Sequence, residues 1–222
     1  MKAINMNNDV KFNEIYWDKF YKQVVVRVPS QFCVMVATEA DNETCMVEFG
    51  CGNGRDSLYF GKIGFNVCSM DLSREAVASC RLSAGAAGLQ NISFEAGSIA
   101  DETDVVSLIS AARQKTKSGK ITGYSRFVMH SIDDEQESNF LKHISNNMQS
   151  TETIFLEYRS REDANLEKIF GGHYRRFVDT QELIKKATSH FGFKLNYRIT
   201  GQGMARYKHE DPFVSRLILE KL

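Results

Sequence analysis

The sequence predicts an α/β fold in which helices cover both faces of a doubly wound, mostly parallel sheet. Short apolar runs that are typical of buried strands alternate with helical segments from residue 45 onwards. The first run, 45–49, leads into three glycines at alternate positions, Gly50, Gly52 and Gly54. The last two runs are separated by about 14 residues with no clear helical pattern, which predicts an antiparallel pair at the end of the chain.

The bulk composition indicates one large domain with no strong charge preference. The chain has 222 residues, of which 42% are hydrophobic and 25% charged, and these values are ordinary for a soluble globular protein. Lys plus Arg equals Asp plus Glu, 28 against 28, so the net charge gives no bulk attraction to nucleic acid or to an anionic membrane. We therefore predict a single domain over 1–222, with 1–40 as an N-terminal helical cover and 41–222 as the α/β core.

Targeting signals and metal motifs are absent from the sequence pattern. No apolar run approaches the ~20 residues needed to span a bilayer, and the first residues lack the apolar core of a signal peptide. We therefore expect a cytoplasmic protein. The five cysteines form no Cys-x-x-Cys pair, and their odd number and wide spacing argue against a disulfide framework or a zinc site. We interpret them as small core residues and predict no metal site.

The predicted elements rest on local patterns. Ser73 suits the N-cap of a helix that Gly88 ends, and apolar residues at 105, 108, 109 and 112 mark one face of the next helix. The predicted strands are 45–49, 66–71, 92–96, 124–130, 153–158, 194–199 and 215–222. The predicted helices are 56–63, 74–87, 104–113, 134–148 and 180–191, with a further helical region over 12–40 that is broken near Pro29.

The helical region before the first strand is crowded with aromatic residues, Trp17 and Tyr21 among them. One interpretation is an amphipathic helix that packs on the body of the protein. The other is a cover over a ligand pocket, because aromatic side chains with a polar tip suit a site that is apolar inside and wet outside. Both interpretations stay open at this point.

The glycine turn after the first strand predicts a ligand site, because glycine has no Cβ and lets the backbone approach a ligand closely. In an open α/β sheet, such a site lies outside the carboxyl ends of the strands. A dinucleotide fingerprint would be Gly-x-Gly-x-x-Gly, whereas this spacing is Gly-x-Gly-x-Gly followed by Arg55 and preceded by the acid Glu48. A P-loop is excluded, since no Gly-Lys-Ser/Thr follows at the required offset.

S-adenosylmethionine (SAM) fits the turn better, because it carries an ammonium and a carboxylate but no phosphate. Glu48 can accept from the ammonium, and the glycines permit close backbone approach. Asp71, 21 residues after Gly50 at the end of the second strand, can accept from both ribose hydroxyls. Leu72, Ser98 and Ile99, which follow strands two and three, are placed to form an adenine slot.

The run from Val47 to Asp56, together with Asp71-Leu72-Ser73, resembles the class I SAM-dependent methyltransferases. This resemblance implies a Rossmann-like, seven-stranded sheet with an antiparallel last strand in an α-β-α sandwich. It also implies direct methyl transfer, with S-adenosylhomocysteine (SAH) as the product. Ser98 departs from the pattern, since many family members have Asp or Glu there. The cofactor-binding residues expected from the motif and the resemblance are Trp17, Tyr21, Glu48, Gly50, Cys51, Gly52, Gly54, Arg55, Asp56, Asp71, Leu72, Ser98, Ile99 and Met129.

The acceptor side is expected at the ends of strands four and five and in later loops, where basic and aromatic residues cluster. One interpretation is solvated loops joined by surface ion pairs, which contribute little each. The other is an anion-binding pocket, because the arginine fork suits carboxylate or phosphate. The predicted acceptor-site residues are His130, Arg159, His173, Tyr174, Arg175 and Arg176, with Tyr207 as a second aromatic wall.

The downstream pattern, including Glu-x-Arg-x-x-x-Asp and His-Tyr-Arg-Arg-Phe, is similar to a subgroup of bacterial methyltransferases of surface-polysaccharide clusters. This similarity implies O-methylation of a small phosphate-, phosphoramidate- or sugar-linked acceptor in the biosynthesis of capsular polysaccharide. The alternatives are RNA methylation, which the neutral charge and missing RNA-binding domain disfavour, and a non-catalytic SAM-binding module. The expected partner is a small anionic acceptor, with no nucleic acid, no membrane span, and a homodimer left open.

Overall fold

The computed structural model describes residues 15–21, 28–166, 168–169 and 174–222. Its elements, in chain order, are α1 over residues 15–21, α2 (Gln31–Glu39), β1 (Cys45–Phe49), α3 (Arg55–Lys62), β2 (Asn66–Asp71), α4 (Arg74–Ala86), β3 (Ile92–Ala96), α5 (Glu102–Arg113), β4 (Ile121–Arg126), α6 (Asp134–Asn147), β5 (Thr153–Arg159), α7 (Thr180–His190), β6 (Phe193–Gly201) and β7 (Val214–Lys221). Across these described ranges, none of the helices combines the length and apolar character that crossing a bilayer requires.

The seven strands form one sheet in the order β3-β2-β1-β4-β5-β7-β6. Strands β1 to β5 pair in parallel, whereas β7 lies between β5 and β6 and is antiparallel to both. The predicted doubly wound sheet with an antiparallel last strand is therefore confirmed. The strand order reverses between β1 and β4, and the carboxyl ends of these two strands flank the crevice where such sheets bind ligands.

The alternation of side chains along β1 shows how the two helical layers are held. Val47 and Phe49 pack with α5, α6 and α7 on one face, while Met46 packs with α2 and α3 on the other. The same alternation turns Glu48 towards α3, where the Ser57 hydroxyl donates to it. The strand thus carries an apolar anchor for each layer and delivers one buried acid to the crevice.

Strand β4 is the element that the sequence analysis placed wrongly. It runs over Ile121–Arg126 and not over 124–130, so it begins three residues before the predicted start and ends four residues before the predicted end. The strand ends at Arg126 because the next residue, Phe127, has a left-handed backbone (φ 62°), and the N–H of Phe127 donates to the Glu157 carbonyl at 2.7 Å. His130 consequently lies in a turn four residues beyond the strand and not at its carboxyl end.

The predicted N-terminal cover divides into two parts with different roles. Residues 1–14 and 22–27 lie outside the described residues. Helix α2 packs on the body, because Phe32, Cys33 and Val36 are fully buried against β1 and α3. Helix α1 instead contributes Trp17 and Tyr21 to the lining of the crevice. The interpretation as a cover therefore applies to α1, and the interpretation as a packing helix applies to α2.

Candidate active site

A cavity of about 630 Å³ occupies the crevice at the carboxyl ends of β1 and β4. This volume is in the range of pockets that hold small molecules and cofactors. It brings together most of the predicted site residues, namely Trp17, Tyr21, Glu48, Gly50, Cys51, Gly52, Arg55, Asp56, Asp71, Leu72, Ser98, Ile99, His130, Arg159 and Arg175, as well as the predicted wall Tyr207. Gly54, Met129, Tyr174 and Arg176 do not line it, and His173 lies outside the described residues.

The three glycines of the turn have left-handed backbones, with φ values of 84°, 54° and 72°. A Cβ at Gly50 would overlap the side chain of Val128, and one at Gly54 would lie 2.6 Å from the sulfur of Cys80 on α4. At Gly52, a Cβ would lie 2.5 Å from the hydroxyl of Tyr21. Gly50 and Gly54 are thus required by packing within the protein, and Gly52 is the glycine that faces the cover α1.

Asp71 ends β2 beside the glycine turn, as the sequence predicted. Its carboxylate accepts from the N–H of Gly52 at 2.7 Å and from the N–H of Ser73 at 2.9 Å. Burial raises the pKa of Asp71, and these two N–H donors oppose the rise. The two bonds orient the carboxylate and also hold the turn against the end of β2.

Glu48 and Asp56 form an acidic pair under the turn, but they differ in their partners. Burial, followed by the negative charge of Asp56, raises the pKa of Glu48 to about 8. Asp56 accepts from the N–H and the hydroxyl of Ser30 and from the hydroxyl of Tyr124, each at 2.7 Å. The carboxylate of Asp56 therefore joins α2, α3 and β4 while it also lines the cavity, and its role towards the cofactor stays a prediction.

Helix α1 closes the cavity over the glycine turn through an aromatic cluster. The ring of Trp17 stacks on Tyr21 at 5.7 Å and meets Phe20 edge-on at 5.4 Å between centroids. Asp18 accepts from the hydroxyl of Ser73, the N-cap residue of α4. Burial, and then the charge of Asp71, raises the pKa of Tyr21 well above its usual value. The cover is therefore attached at both the glycine turn and the end of β2.

The three residues predicted to form an adenine slot all line the cavity, and the polar groups of one of them, Ser98, bond within the protein. Leu72, Ser98 and Ile99 line the cavity, but the hydroxyl of Ser98 accepts from the N–H of Ala100 at 3.2 Å. The backbone N–H of Ser98 donates to Asp104 on α5 at 2.8 Å. Asp104 does not itself line the cavity, so the described residues supply no acid in place of the one that many family members have at this position.

Arg159 lines the cavity but is held by two carboxylates. It donates to Asp163 at 2.7 Å and to Glu210, and all three side chains are buried. Glu210 also accepts from the N–H of Ile169 at 3.2 Å, and Asp163 accepts from the N–H of Phe213 at 2.9 Å. Arg159 consequently joins β5 to two loops, and its positive charge is matched within the protein.

Arg175 and Arg176 are neighbours in sequence that have opposite surroundings. Arg175 lines the cavity, where burial and then the charge of Arg159 lower its pKa. Arg176 points away from the cavity and donates to Asp134 and Glu137 on α6. The predicted role of Arg176 in the acceptor pocket is therefore corrected to a structural ion pair.

Two other predicted residues lie away from the cavity. Tyr174 is 48% exposed and forms no part of the cavity wall. Met129 is fully buried in the main core with Phe49 and Phe140. The turn that follows Phe127 directs Met129 inwards, since that segment is not a strand with alternating faces.

Arg126 is a lining residue that the sequence analysis missed. It donates to Glu157 at 2.7 Å and its guanidinium lies 4.0 Å from the ring centroid of Phe127. Burial alone would lower the pKa of Arg126, but the carboxylate of Glu157 leaves it raised. Arg126 and Glu157 are register partners on β4 and β5, so correct strand bounds would have shown the pair. Arg206, exposed in the β6–β7 loop, also lines the cavity.

Comparison with known proteins agrees with this geometry. The family model of the tellurite resistance protein TehB matches residues 10–151. A SAM-dependent methyltransferase from Anabaena variabilis ATCC 29413 has a TM-score of 0.73 at 16% identity, over 99% of this chain and 96% of that one. TehB from Haemophilus influenzae has a TM-score of 0.63 at 16% identity, over 95% and 67% of the two chains. A comparison with curated proteins gives no match.

A further similar structure carries the cofactor that the glycine turn predicted. The glycopeptide N-methyltransferase MtfA, complexed with SAM, has a TM-score of 0.65 at 11% identity, over 88% of this chain and 95% of that one. The fold of the present chain is therefore that of the SAM-dependent methyltransferases. Because the family model covers more than half of its length, the chain belongs to the TehB family. The expectation of SAM as cofactor is confirmed at the level of this fold and family.

Proposed function

We propose that this chain transfers a methyl group from SAM to a small anionic acceptor within the cavity at the carboxyl ends of β1 and β4. The observation that carries the proposal is the polarity of the cavity. Glu48, Asp71 and the glycine turn line it from β1, β2 and the segment between them, whereas Arg159, Arg175 and Arg206 line it from β5 and later segments, with Glu210 bound to Arg159. One end thus suits a cationic nucleoside derivative, and the other suits an anion.

The cofactor end fits SAM by its donors, acceptors and shape. SAM, when bound, supplies a methyl group on a positively charged sulfur. Glu48 is a buried acid whose raised pKa reflects the cost of carrying charge there, and an ammonium would offset that cost. Asp71 is positioned by the N–H groups of Gly52 and Ser73 to accept from ribose hydroxyls. Trp17 and Tyr21 supply apolar walls above the turn.

The acceptor end favours an anion because of Arg175. Burial and then the charge of Arg159 lower its pKa, while Glu210 and Asp163 oppose that change, and an anion beside Arg175 would offset the cost of burying its charge. Arg206, from the β6–β7 loop, adds a second cation to the lining. His173 stays a sequence-based candidate whose contribution to the acceptor site is part of the proposal.

The acceptor itself is proposed on two grounds of similarity. The resemblance to methyltransferases of surface-polysaccharide clusters suggests O-methylation of a phosphate-, phosphoramidate- or sugar-linked compound. The name of the TehB family adds tellurite, which is also an oxyanion. All of these acceptors are anions or carry anionic groups, and the arginines at the far end of the cavity support the class as a whole.

The experiment has two stages. Calorimetry with SAH should show binding, and Asp71→Ala should weaken it about 100-fold, which corresponds to about 2.7 kcal/mol. The matched control is Glu95→Ala, an exposed acid at the end of β3. Methyl-labelled SAM is then incubated with sugar phosphates, nucleotide sugars, tellurite and bulk RNA. Absence of SAH binding to the wild-type chain would refute the proposal, and transfer to RNA alone would refute the small anionic acceptor.

A further inference from the structure

His130 is held in one orientation by two backbone contacts. It is buried, with 3% of its surface exposed, and lines the cavity. Its Nδ1 accepts from the backbone N–H of Arg159 at 3.3 Å, and its carbonyl accepts from the N–H of Arg176 at 2.7 Å. The ring of Phe127 meets the imidazole edge-on at 5.2 Å between centroids. The imidazole is therefore fixed between the end of β5 and the turn after β4.

The contact with Arg159 determines where the imidazole carries its proton. A backbone N–H can only donate, so the Nδ1 that receives it has no hydrogen. A neutral imidazole then carries its single hydrogen on Nε2. Protonation of Nδ1 would place two donors face to face, at the N–H of Arg159 and at the ring nitrogen.

We infer that His130 acts in methyl transfer as a neutral hydrogen-bond donor through Nε2 and not as a general base. This inference rests on the proposed function. A general base facing the acceptor would need an Nε2 without a hydrogen. The bond from the Arg159 N–H instead leaves Nδ1 without a hydrogen, so Nε2 carries it. Donation from Nε2 would instead stabilise negative charge on the bound acceptor and orient it towards the glycine turn.

The other carboxylates that line the cavity lie at the glycine turn or are held by partners within the protein, as Asp56 is by Ser30 and Tyr124. Glu48 and Asp71 belong to the glycine turn, and Glu210 accepts from Arg159 and from the N–H of Ile169. The acceptor atom must therefore carry its lone pair without help from these groups. That lone pair forms the bond to the methyl carbon as the carbon–sulfur bond breaks, and no proton passes to the protein. The pH dependence of transfer would then follow the ionisation of the acceptor alone.

The tautomer can be tested without an acceptor. In protein labelled with ¹⁵N, long-range proton–nitrogen correlation spectra distinguish Nδ1–H, Nε2–H and doubly protonated rings. His130→Asn identifies the signal among the five histidines. We expect the Nε2–H form near neutral pH, with and without SAH. An Nδ1–H ring or an imidazolium at that pH would overturn the inference, whatever the protein methylates.

The role can be tested by two substitutions at the same position. Asparagine can accept from Arg159 through its carbonyl and donate through its amide, but it cannot take up a proton, whereas alanine does neither. If His130 is a donor, His130→Asn should keep kcat/KM within about tenfold of wild type, and His130→Ala should lose roughly 10- to 100-fold. If His130 is a base, both variants should lose about 10²- to 10⁴-fold.

The controls separate failure of this inference from failure of the proposed function. Both variants should bind SAH with wild-type affinity, since His130 lies at the acceptor end. A wild-type chain that transfers no methyl group would refute the proposed function. An active wild type, with both variants folded, SAH-bound and equally inactive, would refute only the role of His130. An ionisation in the wild-type pH profile that His130→Asn abolishes would do the same.

Discussion

The two ends of the cavity are built in different ways from the same chain. At the glycine turn, Glu48, Gly52 and Asp71 come from one short βαβ unit, and the bonds that orient Asp71 come from residues close by. At the arginine end, Arg159 and Arg175 come from distant segments, and Arg159 is held by Asp163 and Glu210. A ligand-binding group at the first end is visible in a local motif. At the arginine end, a charged side chain can be assigned to ligand binding only after the structure shows that it faces the cavity.

Substitution of the first glycine should give the largest effect, because it breaks the turn without touching a ligand. In Gly50→Ala, the left-handed backbone costs about 1–2 kcal/mol, and overlap with Val128 adds about 1–3 kcal/mol. We expect urea unfolding to show a loss of roughly 2–5 kcal/mol. Gly85→Ala is the control, since a Cβ there meets nothing within 4 Å and the helical backbone favours alanine. Equal stabilities of the two variants would show that Gly50 serves only the ligand.

The adjacent residues Arg175 and Arg176 allow a cavity-lining arginine to be compared with an ion-paired arginine at the acceptor end. Arg176→Ala removes a partner of the buried Glu137, which among the described residues then keeps the ion pair with Lys186 at 2.8 Å. We expect a loss of about 2–3 kcal/mol in the free energy of unfolding and little change in the acceptor KM of the folded enzyme. Arg175→Ala should leave stability within about 0.5 kcal/mol and raise the acceptor KM about tenfold.

The measurements are urea titration, SAH calorimetry and kinetics with the acceptor that proves active. Neither arginine should affect SAH binding. If Arg176→Ala raises the acceptor KM while stability is unchanged, the assignment of the two arginines is reversed.

Glu48 should link stability to pH at the glycine end. Its pKa in the folded protein, about 8, lies above its usual value of 4.5, so the folded state holds a proton that the unfolded chain releases. The contribution of Glu48 to stability is therefore complete below about pH 4.5 and is lost as pH rises through about 8. Glu48→Gln has no such loss. Its free energy of unfolding relative to wild type should increase over this interval by a few kcal/mol, in proportion to the raised pKa.

Thermal or urea unfolding across this pH range measures the effect, with Glu95→Gln as an exposed control. Glu48→Gln should also weaken SAH binding, since the variant cannot become an anion opposite the ammonium. A constant difference in stability between variant and wild type across the range would contradict the raised pKa.

The contact between Gly52 and Tyr21 predicts the smallest effect, a coupling between the turn and the cover. A Cβ at Gly52 would press on the Tyr21 hydroxyl, so Gly52→Ala should displace α1 and weaken SAH binding about tenfold. In a double-mutant cycle with Tyr21→Ala, we expect a coupling of about 1 kcal/mol. The fluorescence of Trp17, the single tryptophan, reports the position of α1. Additive losses would show that the cover does not rest on the turn.

The parts of the molecule that were predictable from sequence are those that depend on neighbouring residues. Strand β1, the glycine turn and Asp71 follow from an apolar run, glycine spacing and one strand end. Strand β4 was misplaced because the apolar residues continue past Arg126, and neither glycine nor proline marks the left-handed turn at Phe127. The position of His130, and with it the orientation of its ring, could not follow from such a pattern.

The choice of ion-pair partners was also beyond the sequence pattern. Arg159 and Glu210 are 51 residues apart, and Arg176 and Glu137 are 39 apart. Which arginine is matched by an acid, and which faces the cavity, depends on contacts made only after the sheet forms. The structural partners of Asp56 were hidden for the same reason, since Tyr124 lies 68 residues away.

The Arg159 cluster has a consequence for the motions of the cavity wall. Asp163 accepts from the amide of Phe213, and Glu210 accepts from the amide of Ile169, while both acids bind the same guanidinium. Opening the loop that contains Ile169 or the loop that contains Phe213 therefore breaks bonds that support the other loop. The two amide protons should therefore exchange with solvent at a common opening free energy, as parts of one cooperative unit.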